Sequence, residues 1–160
     1  MEKIQVGFIG CGRISDLHAL GYRNHPDAEI AAVSDKDPRI AEKKGSEWGA
    51  RKIYTDYRKM LDDPAIDAVE ILTPQKLHEK MVIEAAAAGK HILVQKPMTI
   101  DLDSADRMIQ AAKAGGKIYK VIENYMYYPP IRFAKELLDA GEIGVPISMR
   151  VKFISGSSGG

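Results

Sequence analysis

A glycine-rich turn near the start of the chain constrains the fold more than any other feature of the sequence. The apolar run Ile4–Ile9 is too short for a buried helix and stops at Gly10, so it predicts a strand. The turn Gly10-Cys11-Gly12-Arg13-Ile14-Ser15 follows at once, and a helical pattern begins at about Arg13. A strand, a tight glycine turn and a helix in this order predict the first half of a βαβ unit.

Predicted strands and helices continue to alternate along the rest of the chain. Six strands alternating with five helical segments imply a parallel sheet with helices on both faces, because each crossover lays a helix against the sheet. The predicted fold class is therefore α/β, a doubly wound parallel sheet of the Rossmann type. Five of the strands are placed at residues 4–9, 30–33, 68–72, 91–94 and 117–122. The helical segments begin near residues 13, 38, 56, 75 and 101.

Three residues are predicted to mark the ends of these helices. Asp37 precedes a proline at the first helical position, so it is expected to cap the second helix. Thr55 is expected to cap a short helix that runs through Leu61. Gly89 is expected to end the helix that starts at Gln75.

Three further residues near the predicted core need an explanation. Glu70 stands inside an apolar strand, where a carboxylate requires a partner or a gap to solvent. Cys11 lies near a helix N-terminus, which can make a thiol reactive, although a small residue filling a tight turn is the favoured interpretation. His18 lies one helical turn beyond the glycine motif, and a packed or capping histidine is favoured over a catalytic base.

The glycine turn has the spacing of a dinucleotide-binding loop, with serine in the last position of G-x-G-x-x-G. The first glycine permits the turn, the second lets a diphosphate approach the backbone, and Ser15 lets the helix pack closely. Free N–H groups at the helix start would face the phosphates. Asp35 ends the second strand, 20 residues after Ser15, where a carboxylate can bind both ribose hydroxyls and repel a 2′-phosphate. NAD is therefore predicted over NADP, with NADP still possible because Lys36 follows the aspartate.

Composition excludes several other classes of protein. The net charge of +1 gives no electrostatic case for nucleic acid or an anionic membrane as a partner. No apolar run approaches the length of a membrane span, and Met1 leads into a strand without room for a secretory signal. A single cysteine excludes an internal disulfide and fits a reducing compartment, so the expected location is the cytoplasm. The 160 residues suffice for one compact core.

Motifs in the second half are more specific than the glycine turn. Leu72-Thr73-Pro74 ends a strand and is followed by His78, and Gly89-Lys90 precedes the strand that leads into Gln95-Lys96-Pro97. With Glu123-Asn124 and the segment 140–144, this order resembles the glucose-fructose oxidoreductase, inositol dehydrogenase and rhizopine catabolism (Gfo/Idh/MocA) family of oxidoreductases. The resemblance covers nearly the whole chain.

The resemblance implies roles for individual residues. Leu72, Thr73 and Pro74 would lie against the cofactor, with His78 on the helix behind them, and Asn124 would line the same pocket. Lys96 would stand beside the nicotinamide and contact the substrate hydroxyl, as the catalytic residue. The predicted cofactor-binding residues are Gly10, Gly12, Arg13, Ile14, Asp35, Leu72, Thr73, Pro74, His78, Gln95, Lys96 and Asn124, with no metal ligand among them.

Elementary chemistry supports the same role for Lys96. Loops at the carboxyl ends of parallel strands converge on the crevice where strand order reverses, and Thr73 and Lys96 both follow strands. Hydride transfer from an alcohol carbon requires the hydroxyl proton to leave, and a partly desolvated lysine can accept it. The family usually has glutamate where this chain has Gln95. Because a neutral glutamine does not hold a lysine charged, Lys96 is expected to lose its proton more easily here.

Domain organisation is also inferred from the resemblance. Residues 1–123 would form the NAD(P)-binding domain, and residues 124–160 the hinge and the beginning of a substrate and oligomerisation domain, whose first strand is predicted at Pro146–Phe153. Family members are longer and supply a further histidine from that domain, so the chain is expected to be a truncation, weak or inactive alone. The full-length parent is expected to be a homo-oligomer. The tyrosines at 125, 127 and 128 could contact a sugar ring or pack against the first helix of the second domain.

Three functions remain open from the sequence. The favoured one is an NAD(P)-dependent dehydrogenase acting on a hydroxyl carbon of a sugar, cyclitol or related polyol. The second is an NAD-dependent glycosidase of the same family, which would show no net change in NADH. The third is a dinucleotide-binding regulator without catalysis, against which Lys96 argues.

Overall fold

The fold is known from a computed structural model that describes residues 2–123, 125, 127–150 and 152. Its centre is one six-stranded sheet with the strand order β3-β2-β1-β4-β5-β6, in which every neighbouring pair is parallel. The strands are β1 (Ile4–Ile9), β2 (Ala28–Ser34), β3 (Lys52–Tyr54), β4 (Ala68–Ile71), β5 (His91–Gln95) and β6 (Tyr119–Ile122). The predicted α/β doubly wound class is confirmed.

Helices connect the strands in sequence order, and a further helix follows β6. They are α1 (Arg13–Tyr22), α2 (Pro38–Trp48), α3 (Tyr57–Leu61), α4 (His78–Ala87), α5 (Leu102–Ala114) and α6 (Pro129–Asp139). A 3₁₀ turn at Gln75–Leu77 precedes α4. The chain divides into two compact units at residues 122 and 123, and the second unit contains α6. The division into domains with the roles predicted above stays a prediction.

The core lies on both faces of the sheet because parallel strands are buried on both sides. On the face covered by α1 and α2, Phe8 is fully buried and contacts Tyr22 and Trp48 edge to face, with ring centroids 5.4 and 5.5 Å apart. On the face covered by α3, α4 and α5, the largest buried side chains include Met60, Ile71 and Met108. These two layers fix the positions of all loops at the sheet edge.

Strand order reverses between β1 and β4. β1 pairs with β2 on one side and with β4 on the other, so the connections after β1 and after β4 leave on opposite faces. Such a reversal opens a crevice at the carboxyl ends of the two central strands. The glycine turn after β1 and the loop after β4 border this crevice.

Several boundaries differ from the sequence prediction. The residue that caps α3 is Asp56, whose carboxylate accepts a hydrogen bond from the Arg58 backbone N–H at 3.0 Å, so the prediction of Thr55 is wrong. The prediction placed no strand at β3, a short edge strand whose Lys52 and Ile53 are exposed and therefore give no apolar pattern.

The strand predicted at Pro146–Phe153 is not found in the part of it that the structure describes. Residues 146–150 and 152 have no strand assignment, and residues 151 and 153 lie outside the described residues. A strand requires a hydrogen-bonding partner, and in the described part of the chain no segment pairs with these residues. The apolar character of the segment therefore did not suffice to predict a strand.

Candidate functional site

The glycine turn is built by backbone sterics. Gly10 has a φ of +95°, a conformation that L side chains rarely adopt, and its N–H donates to the Ser34 carbonyl at 2.8 Å. A Cβ added at Gly10 would lie 3.0 Å from Thr73 Cγ2 and 3.1 Å from the Leu72 carbonyl carbon. The turn after β1 is thus pressed against the loop after β4, and only glycine fits.

The second glycine, Gly12, is surrounded by open space, unlike Gly10. Gly12 is the N-terminal cap of α1 with a φ of −77°, and a Cβ added there would meet no atom within 4 Å. Ser15 is fully buried and donates its backbone N–H to the Gly12 carbonyl at 3.1 Å, which brings the helix close to the sheet. Among the described residues, no side chain caps the start of α1. The first N–H groups of the helix, at the exposed Arg13 and half-buried Ile14, are oriented as an anion site requires.

Asp35 lies beside this turn at the end of β2. Its Oδ2 accepts a hydrogen bond from the Cys11 N–H at 2.9 Å, and its Oδ1 accepts one from the Asp37 N–H at 3.0 Å. Each carboxylate oxygen can accept a second hydrogen bond, so the half-buried group can still bind two hydroxyls. The turn itself therefore orients the carboxylate.

Cys11 is a packing residue. Burial, assisted by the charge of Asp35, raises the pKa of the Cys11 thiol to about 12, and the thiol donates to the Ser34 carbonyl at 3.7 Å. A thiol with so high a pKa is not a nucleophile at neutral pH. The favoured interpretation of Cys11 as a small residue filling the turn agrees with this burial.

His78 connects the two loops that follow β4 and β5. The side chain is 1 % exposed, and its Nε2 lies 2.8 Å from the Thr73 carbonyl oxygen. On the other side of the ring, Nδ1 lies 3.2 Å from the Pro97 carbonyl and 3.1 Å from the Met98 carbonyl. His78 thus holds the Thr73 loop next to the loop that carries Lys96. Of the Thr73 loop, Leu72 is buried and Pro74 exposed.

Gln95 ends β5 and is buried, whereas Lys96, the next residue, is exposed. The Lys96 side chain is exposed, and the peptide bond between Lys96 and Pro97 is cis. Gln95 is 6 % exposed, and its Oε1 accepts the Lys96 backbone N–H at 2.7 Å. The Gln95 side chain therefore contacts the backbone of Lys96, and its expected effect on the Lys96 proton stays a prediction.

The partner that Glu70 requires is present. His18 Nδ1 lies 2.5 Å from Oε1 of Glu70, and the Tyr22 hydroxyl donates to Oε2 at 2.7 Å. His18 Nε2 lies 2.8 Å from Nε2 of Gln95, so the chain of contacts continues to the loop that carries Lys96. His18 and Tyr22 were outside the predicted site. Because they lie 52 and 48 residues from Glu70, local sequence patterns give no signal for this pairing.

Most of the predicted site residues lie together at the carboxyl ends of the strands. The glycine turn, Asp35, the Thr73 loop and the Lys96 loop follow β1, β2, β4 and β5 at their carboxyl ends. Asn124 lies outside the described residues. Within the described ranges, no group of three or more His, Cys, Asp or Glu side chains could hold a metal ion. None of the described helices has the length and apolar character needed to cross a membrane.

These features define a dinucleotide-binding Rossmann domain. A family model described as "Oxidoreductase family, NAD-binding Rossmann fold" matches residues 4–123. The chain belongs to this family, the Gfo/Idh/MocA oxidoreductases, which confirms the resemblance stated from the motifs. As predicted, the family is NAD-binding.

Two curated relatives illustrate the likeness. The scyllo-inositol 2-dehydrogenase (NAD(+)) of Bacillus subtilis is 36% identical over 147 residues, which cover 91% of this chain and 43% of that protein. The myo-inositol 2-dehydrogenase of Thermotoga maritima is 33% identical over 149 residues, covering 92% and 44%. The chain therefore spans less than half the length of these relatives.

Solved structures give the same result. An oxidoreductase from Agrobacterium radiobacter, in complex with NAD+, L-tartaric acid and magnesium, superposes with a TM-score of 0.86 at 29% identity, covering 90% of this chain and 42% of that one. The KijD10 3-ketoreductase of Actinomadura kijaniata, in complex with NADP and TDP-benzene, superposes with a TM-score of 0.80 at 28% identity, covering 88% and 43%.

Proposed function

We propose that this chain binds NAD in an enzyme that transfers a hydride between the nicotinamide and a hydroxyl carbon of a sugar, cyclitol or related polyol. The supporting relatives are dehydrogenases of inositol, levoglucosan and apiose, all 31–36% identical to this chain. The observation that carries the proposal is the pairing of Asp35 with the glycine turn through the Cys11 N–H.

The geometry of that pairing fits an adenosine diphosphate portion. Open space above Gly12 and the uncapped start of α1 suit a diphosphate, because N–H groups and the helix dipole both attract negative charge. Asp35 retains acceptor capacity for the two ribose hydroxyls. A 2′-phosphate would place a second negative charge against this carboxylate, so NAD is preferred over NADP.

Lys96 is the residue proposed to move the substrate proton. When bound, the nicotinamide ring supplies the hydride acceptor. Lys96 is exposed at the end of β5, and His78 and Gln95 restrain the loop from which it projects. Its Nζ can accept the hydroxyl proton of an alcohol or donate a hydrogen bond to a carbonyl oxygen, and such proton transfer contributes about 10²–10⁴-fold to rates.

Calorimetric titration of the chain with NAD+ and NADP+ tests the cofactor assignment. We expect NAD+ to bind more tightly. In Asp35→Asn, which removes the charge while keeping the size of the side chain, the ratio of NAD+ to NADP+ affinity should fall at least about tenfold. Asp27→Asn, the same change at an exposed aspartate just before the start of β2, is the matched control and should change the ratio far less. Absence of heat with both nucleotides would contradict the proposal.

Steady-state oxidation of a polyol panel by the enzyme that contains this chain tests the reaction. The panel comprises scyllo-inositol, myo-inositol, levoglucosan and D-apiose, with NADH absorbance as the signal. At least one compound should yield NADH in proportion to substrate consumed, and Lys96→Gln should reduce kcat by about 10²-fold or more with little change in NAD+ affinity. Turnover of a glycoside with no net NADH would favour the glycosidase alternative.

A further inference from the structure

A buried chain of hydrogen bonds joins α1 to the loop that carries Lys96. From the core outward, Tyr22 and His18 contact the Glu70 carboxylate, His18 contacts the Gln95 amide, and Gln95 holds the Lys96 backbone N–H. Glu70 is 2 % exposed and Gln95 6 % exposed, so the contacts between them are shielded from water. Nothing in the hydride chemistry proposed above uses these side chains directly.

The contacts fix the position of every proton in the chain. The Lys96 backbone N–H can only donate, so the atom of Gln95 that faces it must be the amide oxygen. The Gln95 NH₂ group then faces His18 Nε2, which must accept with its lone pair. A neutral imidazole that accepts at Nε2 carries its proton on Nδ1, where His18 donates it to Glu70. Each donor in the chain meets an acceptor.

The Tyr22 hydroxyl completes this arrangement at the inner end. It donates to the second oxygen of Glu70 at 2.7 Å. Burial and the nearby Glu70 charge raise the pKa of the Tyr22 hydroxyl above its ordinary value, so it stays a donor. Both carboxylate oxygens of Glu70 therefore accept hydrogen bonds, one from each partner on α1.

We propose that His18 is a positioning residue for Lys96. Through the Gln95 amide, it fixes the position of the Lys96 backbone relative to α1, the helix whose N-terminus is proposed to face the diphosphate of the dinucleotide. This inference rests on the proposed function only for the role of Lys96. The link runs from α1, whose N-terminus borders the glycine turn, to the end of β5. The Glu70 carboxylate, which can only accept, requires a proton on Nδ1 of His18, and the Gln95 NH₂ group, which can only donate, requires an unprotonated Nε2.

The alternative is that His18 serves only to solvate the buried Glu70. Two substitutions separate the possibilities. His18→Asn retains an amide near the position of Nδ1, able to donate to Glu70, but has no atom at the position of Nε2. Tyr22→Phe removes the other donor to Glu70 and leaves the contact between His18 and Gln95 intact.

The test uses NMR on the nucleotide-free chain. The ¹⁵N spectrum of the His18 ring should show a protonated Nδ1 and an unprotonated Nε2 at neutral pH. In Gln95→Glu, a carboxylate cannot donate to Nε2, so both ring nitrogens should become protonated. In amide hydrogen exchange, His18→Asn should reduce protection of the Lys96 N–H about tenfold, whereas Tyr22→Phe should change it less than about twofold.

Three results would overturn the inference. The first is a His18 ring protonated at Nε2 in the unsubstituted chain, which needs no variant to fold. The second is unchanged Lys96 protection in His18→Asn, and the third is an equal loss in Tyr22→Phe. None of these measurements involves NAD+. Failure of the hydrogen-bond chain with normal NAD+ binding would reject this inference alone, whereas an intact chain without NAD+ binding would reject the proposed function alone.

Discussion

Two regions border the crevice, and they hold their shape by different means. The glycine turn after β1 is fixed mainly by backbone geometry, with a positive φ at Gly10 and a main-chain hydrogen bond from Gly10 to Ser34, while the Cys11 N–H donates to the Asp35 carboxylate. The loops after β4 and β5 are fixed by the side chains of His78 and Gln95, which contact their backbone atoms. The first region is proposed to bind the diphosphate and ribose of the nucleotide, and the second presents the residue proposed to act on the substrate.

Because the two regions are stabilised differently, they should respond differently to amino-acid substitutions. A backbone-built turn tolerates almost no change at the glycine that forms it, because any Cβ meets fixed main-chain atoms. A loop held by side chains can be loosened without steric conflict, by deleting one hydrogen-bonding group at a distance. Substitutions in the two regions should therefore affect stability and binding in different proportions.

The largest effect is expected at Gly10. Gly10→Ala forces a side chain into a left-handed conformation and against Thr73 and the Leu72 backbone, which should lower the free energy of unfolding by about 3 kcal/mol. Chemical denaturation measures this directly. Gly21→Ala in α1, where a Cβ meets no atom within 4 Å, is the control and should stabilise by about 0.5 kcal/mol. Equal effects of the two substitutions would refute the steric account.

The second effect concerns the side-chain-held loops. His78→Ala removes the ring that contacts the Thr73, Pro97 and Met98 carbonyls and leaves a buried gap, so the free energy of unfolding should fall by about 2 kcal/mol. His25→Ala, at an exposed histidine, should cost well under half as much. Hydrogen exchange should show the loss of protection concentrated in the two loops. A uniform loss across the sheet would mean that His78 does not act on them.

The same contrast explains how far the sequence could predict the site. The glycine turn, the position of Asp35 and the strand ends were predictable because each follows from local spacing and from the geometry of a βαβ unit. The contacts of His18 and Gln95 were not, since they join residues 77 positions apart. Thr55 was wrongly preferred over Asp56 as a cap because both residue types suit that position and only the backbone geometry decides between them.

The third effect separates binding from stability within the glycine turn. A Cβ at Gly12 has free space in the protein, so Gly12→Ala should change the free energy of unfolding by less than about 1 kcal/mol. The same methyl group would occupy the space proposed for the diphosphate, and NAD+ affinity should fall by at least about tenfold. Calorimetry and denaturation on the same sample give both quantities. Unchanged affinity would place the nucleotide elsewhere.

The smallest effect is expected near the amino ends of the strands, at the opposite end of the sheet from the two regions that border the crevice. Lys52 Nζ donates to Oδ2 of Asp63 at 2.5 Å, and the Tyr54 hydroxyl and the Ala65 N–H also donate to this carboxylate, at 2.7 and 3.0 Å. Hydrogen bonding to Lys52 is the largest cause that lowers the pKa of Asp63 from 3.8 to about 2. A depressed pKa in the folded state means that ionised Asp63 favours folding above the unfolded pKa.

The stability contributed by Asp63 should therefore be complete above about pH 4 and be lost as the pH falls toward about 2. Asp63→Asn should be less stable than the parent by about 1 kcal/mol at neutral pH, since the partly exposed Lys52 weakens the ion pair. The two stability curves should converge near the acid end. NAD+ affinity should not change, because Asp63 precedes β4 and Lys52 is the first residue of β3, whereas the glycine turn follows the carboxyl end of β1. A parallel loss of NAD+ affinity would show that the amino and carboxyl ends of the strands are energetically coupled. The shape of the crevice would then depend on contacts far from it as well as on the backbone-built turn and the side-chain-held loops.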